Sequence, residues 1–134
     1  MLTGPNVILV LKIAVAAVTV IFLASLVCLL RGRYRLHGRL NILFFAMTLG
    51  AVLGLEAIIR FIDPTIFDYF TDDERQRMTI HLCFSVPSAV LLPIMLITGL
   101  THRRRSHILM GAAFLTCWAG TFYTGIFLLP HSPR

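Results

Sequence analysis

The residues in this chain best suited to chemistry are its histidines, because a neutral imidazole is a strong axial ligand and titrates near neutral pH. His37 and His107 each open an apolar run just after an arginine cluster. His81 opens a run near the opposite surface, and His131 follows the last run after Pro130. If these runs are helices, His37 faces His107 near one surface of a bundle, and His81 and His131 lie near the other. Membrane b-type cytochromes hold haem with bis-histidine pairs placed in this way. The plainer reading is that histidines near helix ends are hydrated interfacial residues. His102, inside Thr101-His102-Arg103-Arg104-Arg105, is read only in that way.

A second constellation is ionic. Lys12 and Glu56 lie several residues from the same end of their runs, roughly 10 Å deep by helical rise. Arg60 follows Glu56 at the spacing and in the order that favour a helical ion pair. One reading is a buried Glu56–Arg60 pair with Lys12 reaching up to the surface. The other joins all three in a polar patch that handles a proton, a quinone or a haem propionate. In both, Glu56 is expected to be buried beside a cation. Cys28, Cys83 and Cys117 lie singly in apolar stretches without metal-ligand spacing, so no disulfide framework is expected. Nothing resembles a nucleophile–base arrangement, a glycine-rich phosphate loop or a carboxylate pair. An enzyme is not expected.

The elements that must position these residues follow from composition. Of 134 residues, 57% are hydrophobic and 13% charged, with a mean hydropathy of +0.85. That is more apolar surface than one small soluble core could hide. Four apolar runs, roughly 6–30, 37–62, 79–100 and 107–129, are each about long enough to cross a hydrocarbon core of ~30 Å. The expectation is an all-α membrane protein, a single four-helix transmembrane bundle. Strands fit poorly, because the runs lack period-two alternation. The first run lacks a basic leader and a small-residue cleavage site, so it is expected to remain as a span. The net charge of +6 does not point to nucleic acid, because the basic residues form two short clusters rather than a face. Arg31, Arg33, Arg35 and Arg39 crowd the first loop, Arg103, Arg104 and Arg105 the third, and every acidic residue falls in or beside the second. The positive-inside rule therefore puts loops one and three in the cytoplasm and both termini on the non-cytoplasmic side.

Finer expectations concern loops and faces. Asp63-Pro64 reads as a helix start, with Ile66, Phe67, Tyr69 and Phe70 lying flat in the headgroup region. Thr71 with Glu74 makes a capping box that starts the third helix near residue 72. Inward stripes are read as His37, Asn41, Thr48 in the second helix, His81, Ser85, Ser88, Met95, Gly99 in the third, and His107, Phe114, Trp118, Thr121, Gly125 in the fourth, with Tyr123 facing outward. Gly50 and Gly54 offer a close helix contact. Pro87 and Pro93 should bend the third helix, with Ser85 and Ser88 helping to satisfy the freed carbonyls. No internal repeat is legible, which leaves little room for a transporter.

Several of these motifs occur together in one family. Arg35-Leu36-His37-Gly38-Arg39-Leu40-Asn41 resembles a Leu-His-x-x-x-(Met/Asn) helix start. His81 and Leu92-Pro93 match the third helix, and His102 to His107 followed by Trp118 and Tyr123-Thr124-Gly125 resembles an Arg-x-x-His, Trp, Thr-Gly pattern. Over residues 33–128 the chain resembles the small four-helix CtaM/YozB-like membrane proteins, catalogued as a domain of unknown function. The resemblance implies assistance to a haem–copper terminal oxidase, in assembly or cofactor loading, in a bacterial cytoplasmic membrane. It carries over to His37, His81 and His107. A further histidine at the end of the family's second helix is absent here, where the chain reads Glu56 to Phe61, so this chain either uses another residue, such as His131, or lacks that site. Two functions are then expected: a non-catalytic accessory or assembly protein contacting an oxidase subunit and holding haem transiently, or a b-type haem electron carrier.

Overall fold

In a lipid phase the backbone of a long apolar run must satisfy its own polar groups, and the α-helix does so locally. The structure, a computed structural model, describes residues 3–130. It contains four long helices: α1 (Gly4–Leu30), α2 (Tyr34–Ala57), α3 (Asp72–Leu100) and α4 (Arg104–Tyr123). α2 and α4 each run on into a π turn, Ile58–Ile62 and Thr124–Leu128. All four are long and apolar enough to be membrane spans. α1, α2 and α4 begin two or three residues before their expected spans, and α3 begins at residue 72 as its capping box predicts, so Arg35, Arg104 and Arg105 ride on first helical turns rather than in loops. The helices pair as two antiparallel hairpins, α1 with α2 and α3 with α4, which meet more sparingly through α2–α3 and α1–α4.

The two arginine-rich turns are built alike. After α1, the Gly32 N–H reaches the Leu29 carbonyl and the Arg33 N–H the Cys28 carbonyl. After α3, the His102 N–H reaches Gly99 and the Arg103 N–H reaches Thr98. This is the Schellman closure, whose pivot must take a positive φ. Gly32 does so at 71°, and His102 at 54° with a side chain attached. The correspondence extends through the hairpins at one fixed offset, the one that carries His37 onto His107. Under it Val18 falls on Ser88, Phe22 on Leu92 and Phe44 on Phe114, all of them buried. Phe44 and Phe114 meet each other at 5.9 Å, as equivalent residues do beside a two-fold axis. The bundle is therefore a pseudo-two-fold pair of hairpins, which corrects the expectation that the chain has no internal repeat.

Between the hairpins lies a core of Val18, Phe22, Phe44, Leu92, Phe114 and Trp118. Edge-to-face contacts, Phe22 on Phe114 at 5.5 Å and Phe44 on Trp118 at 5.0 Å, fill it. The Trp118 indole donates to Thr19 Oγ1 at 3.2 Å, a bond worth about 0.6 kcal/mol between membrane helices. Outside this core, large apolar side chains such as Val10, Val20, Leu53 and Val90 are exposed on all four helices.

Loop two differs from expectation in part. The capping box is present: Thr71 Oγ1 accepts from the Glu74 N–H, and Glu74 Oε2 accepts from the Thr71 N–H. Asp63, however, starts no helix. Its carboxylate closes on Thr65, and the chain proceeds through successive i to i+3 turns to Phe70. Ile66 and Phe70 are buried rather than laid flat, and the loop covers the start of α1. A Cβ on Gly4 would lie 2.5 Å from the Ile66 carbonyl oxygen, so only glycine fits there.

The contact expected at Gly50 and Gly54 and the carbonyl expected to be satisfied by Ser88 are corrected as well. A Cβ added at Gly50 or Gly54 would meet nothing within 4 Å, so none of the described helices packs on their face. α3 runs through Pro87 and Pro93 without interruption. Ser88 donates to the Phe84 carbonyl at 2.9 Å, not to the Cys83 carbonyl that Pro87 leaves open.

Candidate functional site

His37 lies one turn into α2 and His107 one turn into α4, because the matching turns restart both helices in the same register. Facing across the hairpin boundary, their ring centres are 6.5 Å apart, with planes at 77°. Each ring is tethered to the preceding helix of its own hairpin. His37 Nδ1 is 3.0 Å from the Ser25 carbonyl oxygen, and His107 Nδ1 is 3.1 Å from the Met95 carbonyl oxygen. A carbonyl can only accept, so Nδ1 carries the proton in both.

The polar groups around His37 form a consistent network. The fully buried Ser25 hydroxyl donates to Asn41 Oδ1 at 2.6 Å and lies 2.8 Å from His37 Nδ1. The Asn41 amide then faces His37 Nε2 at 3.1 Å and donates to its lone pair. Thr98 Oγ1 adds a contact to His107 Nδ1 at 3.3 Å. Gly99 lets α3 approach, since a Cβ there would lie 3.1 Å from His107 Cε1. Metal-binding histidines commonly have this arrangement, one nitrogen fixed on a carbonyl and the other left basic.

Both histidines line one partly open cavity of about 1040 Å³ between α2, α3 and α4, at the upper end of the ~300–1,000 Å³ usual for small-molecule sites. Its wall is mainly apolar, with Phe44, Phe45, Leu92, Met95 and Leu96 toward the interior. Tyr34, His102 and Arg104 also line it, on the arginine-rich side. His102 is therefore a lining residue, not only the hydrated one it was expected to be.

Among the described residues no group of three or more His, Cys, Asp or Glu side chains is placed to hold a metal ion. Two imidazoles alone suit a ligand that brings its own equatorial donors, as a porphyrin does. Such a ligand would need the free nitrogens of both rings turned into the space between them; the ring centres lie 6.5 Å apart, and the wall suits an apolar macrocycle. In this arrangement the Asn41 amide occupies the His37 lone pair, so ligation requires that amide to turn aside.

His81 sits at the other end. Its Nδ1 is 2.8 Å from Thr124 Oγ1, and a Cβ on Gly125 would approach its Cε1 at 3.1 Å. Ser88 and Thr121 continue this seam at 3.1 Å, so the third and fourth inward stripes join α3 to α4. His131, the expected partner of His81, lies outside the described residues.

The ionic set divides. Glu56 and Arg60 are paired as their spacing predicts, but their side chains are 49% and 68% exposed, so Glu56 is not the buried carboxylate expected. Lys12 takes no part in that pair. Its ammonium donates to the Ile126 carbonyl at 2.7 Å, within the π turn that ends α4. Among the described residues Glu56 points off the bundle with Arg60, while Lys12 reaches toward α4.

Sequence reasoning missed Ser25, whose only signal is a lone hydroxyl in an otherwise apolar stretch of α1, and the rim residue Arg104. No family model matches the chain, and neither a curated protein nor a solved structure does.

Proposed function

We propose that this chain is a non-catalytic accessory or assembly protein of a respiratory haem–copper terminal oxidase, holding haem transiently between His37 and His107 in a bacterial cytoplasmic membrane. The observation that carries the haem reading is the pair of facing imidazoles, 6.5 Å between centres, each with Nδ1 fixed on a main-chain carbonyl. The oxidase partner and the type of membrane rest on the resemblance of the His37, His81 and His107 motifs to the CtaM/YozB-like proteins.

His37 and His107 would hold the haem iron, Ser25 and the Met95 carbonyl orient their rings, and the apolar wall would exclude water. Bound haem would be cargo on its way to an oxidase. Asn41 suits transient holding, since its amide competes for the His37 lone pair and favours release.

The same pair would serve an electron-carrying b-type haem protein. Crossing the membrane by that route calls for a second site near the acidic end, where His81 is bonded to Thr124 and meets no other imidazole among the described residues. The preference for the assembly role rests on the resemblance of the histidine motifs.

Detergent-purified protein tests both. The expected result is a colourless sample that acquires a low-spin bis-imidazole spectrum on adding haemin, lost in His37→Ala and in His107→Ala. A split α-band already present on isolation and reduction would favour the electron carrier. No low-spin spectrum under either condition would remove the haem site.

A further inference from the structure

The two-fold relation is broken at the rim of the cavity, and the break has a direction. The repeat that carries His37 onto His107 carries Tyr34 onto Arg104. Both precede their histidine by three residues, so each shares a helix face with it, and both line the cavity. One side of the rim thus presents a phenol and the other a guanidinium. The second break is His102, which replaces the pivot glycine and adds an imidazole to the Arg104 side.

Among the described residues Arg104 has no carboxylate partner. The acidic residues run from Glu56 to Glu74 at the far end of the bundle, and the ion pairs among the described residues are Glu56–Arg60 and Asp73–Arg77. A guanidinium beside a largely apolar cavity, with no acid of its own, selects an occupant that brings one. It presents a planar fork that matches a carboxylate in bidentate fashion.

We propose that Arg104, flanked by His102, binds the carboxylate edge of the cavity's occupant and fixes which way round it enters. This rests on the haem reading above and adds its orientation: the propionate edge lies at the arginine-rich rim and the apolar edge among Phe45, Leu92 and Leu96. The two-fold relates the two sides of the rim, so the Tyr34–Arg104 difference sets which side the carboxylate meets, while the apolar interior keeps that edge at the rim.

The test is an optical titration of the full chain in detergent with haemin and with haemin dimethyl ester, which lacks the carboxylates. Arg104→Ala is expected to weaken haemin binding about tenfold, the loss of one charge-assisted contact, and to leave the diester unchanged. Arg104→Lys should recover part of the loss. Arg39→Ala, an exposed arginine away from the cavity, should change neither ligand. Low-spin spectra whose affinities do not respond to Arg104→Ala, or respond equally for both ligands, would overturn the rim assignment and leave the histidine pair standing. If the unmodified chain gives no low-spin spectrum with either ligand, the haem reading itself falls.

Discussion

At the residue scale, the site depends on where each imidazole proton is held. Ser25 has no contact with any ligand in this picture, yet its hydroxyl and carbonyl both act on His37. Outer partners of this kind commonly cost 10–100-fold in affinity when removed. Ser25→Ala keeps the carbonyl and loses the hydroxyl, so haemin affinity should fall by about tenfold, at the low end of that range, measured by the same titration. Glu56→Ala should behave differently. The pair it breaks faces off the bundle within a candidate span, where losing the carboxylate leaves Arg60 without its counter-charge in an apolar phase, so the unfolding temperature in detergent should fall with the histidine pair undisturbed. The histidines and Asn41 were legible in the sequence because polar residues in an apolar run at helical spacing mark one face. Ser25 was not, because a single hydroxyl has no period. Glu56 was misplaced for a related reason: helical rise gives depth along a span but not the direction of a side chain.

At the scale of elements, stability is concentrated where helices start and stop. Thr71→Ala removes half of the capping box of α3 and should cost about 1 kcal/mol, read as a lower unfolding temperature with the haemin spectrum unchanged. His102→Gly should act in the opposite direction. A non-glycine residue at positive φ carries roughly 1–2 kcal/mol of strain, part of which glycine returns in a more flexible unfolded chain, leaving a net gain below about 1 kcal/mol. Loop two has a pH dependence of its own. Burial, and then the charge of Glu74, raise the Tyr69 hydroxyl above its ordinary value. A raised phenol stabilises the docked loop fully below its unfolded pKa of about 10, and that contribution disappears as pH rises through the folded value. The spans and the capping box were legible because length, hydropathy and a four-residue motif specify them locally. The contact expected at Gly50 and Gly54 failed because small residues permit a close approach without requiring one. The repeat went unseen because few of its equivalent residues are identical, and its strongest signature is a shared hydrogen-bond pattern at the turns.

For the whole molecule, the two-fold relation and the charge distribution reinforce each other. Because the hairpins are equivalent, both Schellman turns lie at one end of the bundle, and their arginines add rather than oppose. The acidic loop and the described ends at Thr3 and Pro130 lie at the other end. Each hairpin taken alone would have the same preference under the positive-inside rule, so a chain inserted in the reverse sense would have to translocate both arginine clusters. The orientation is tested with single cysteines on exposed positions, in a background where Cys28, Cys83 and Cys117 are replaced by alanine. Asp68→Cys lies in the acidic loop and Ser106→Cys in the first turn of α4. With a membrane-impermeant maleimide, Asp68→Cys should label in intact cells and Ser106→Cys only after lysis. The reverse pattern would place the histidine pair and its arginine rim on the outer surface, where haem made in the cytoplasm could not enter from that side. The assembly role would then have to begin with cargo already across the membrane.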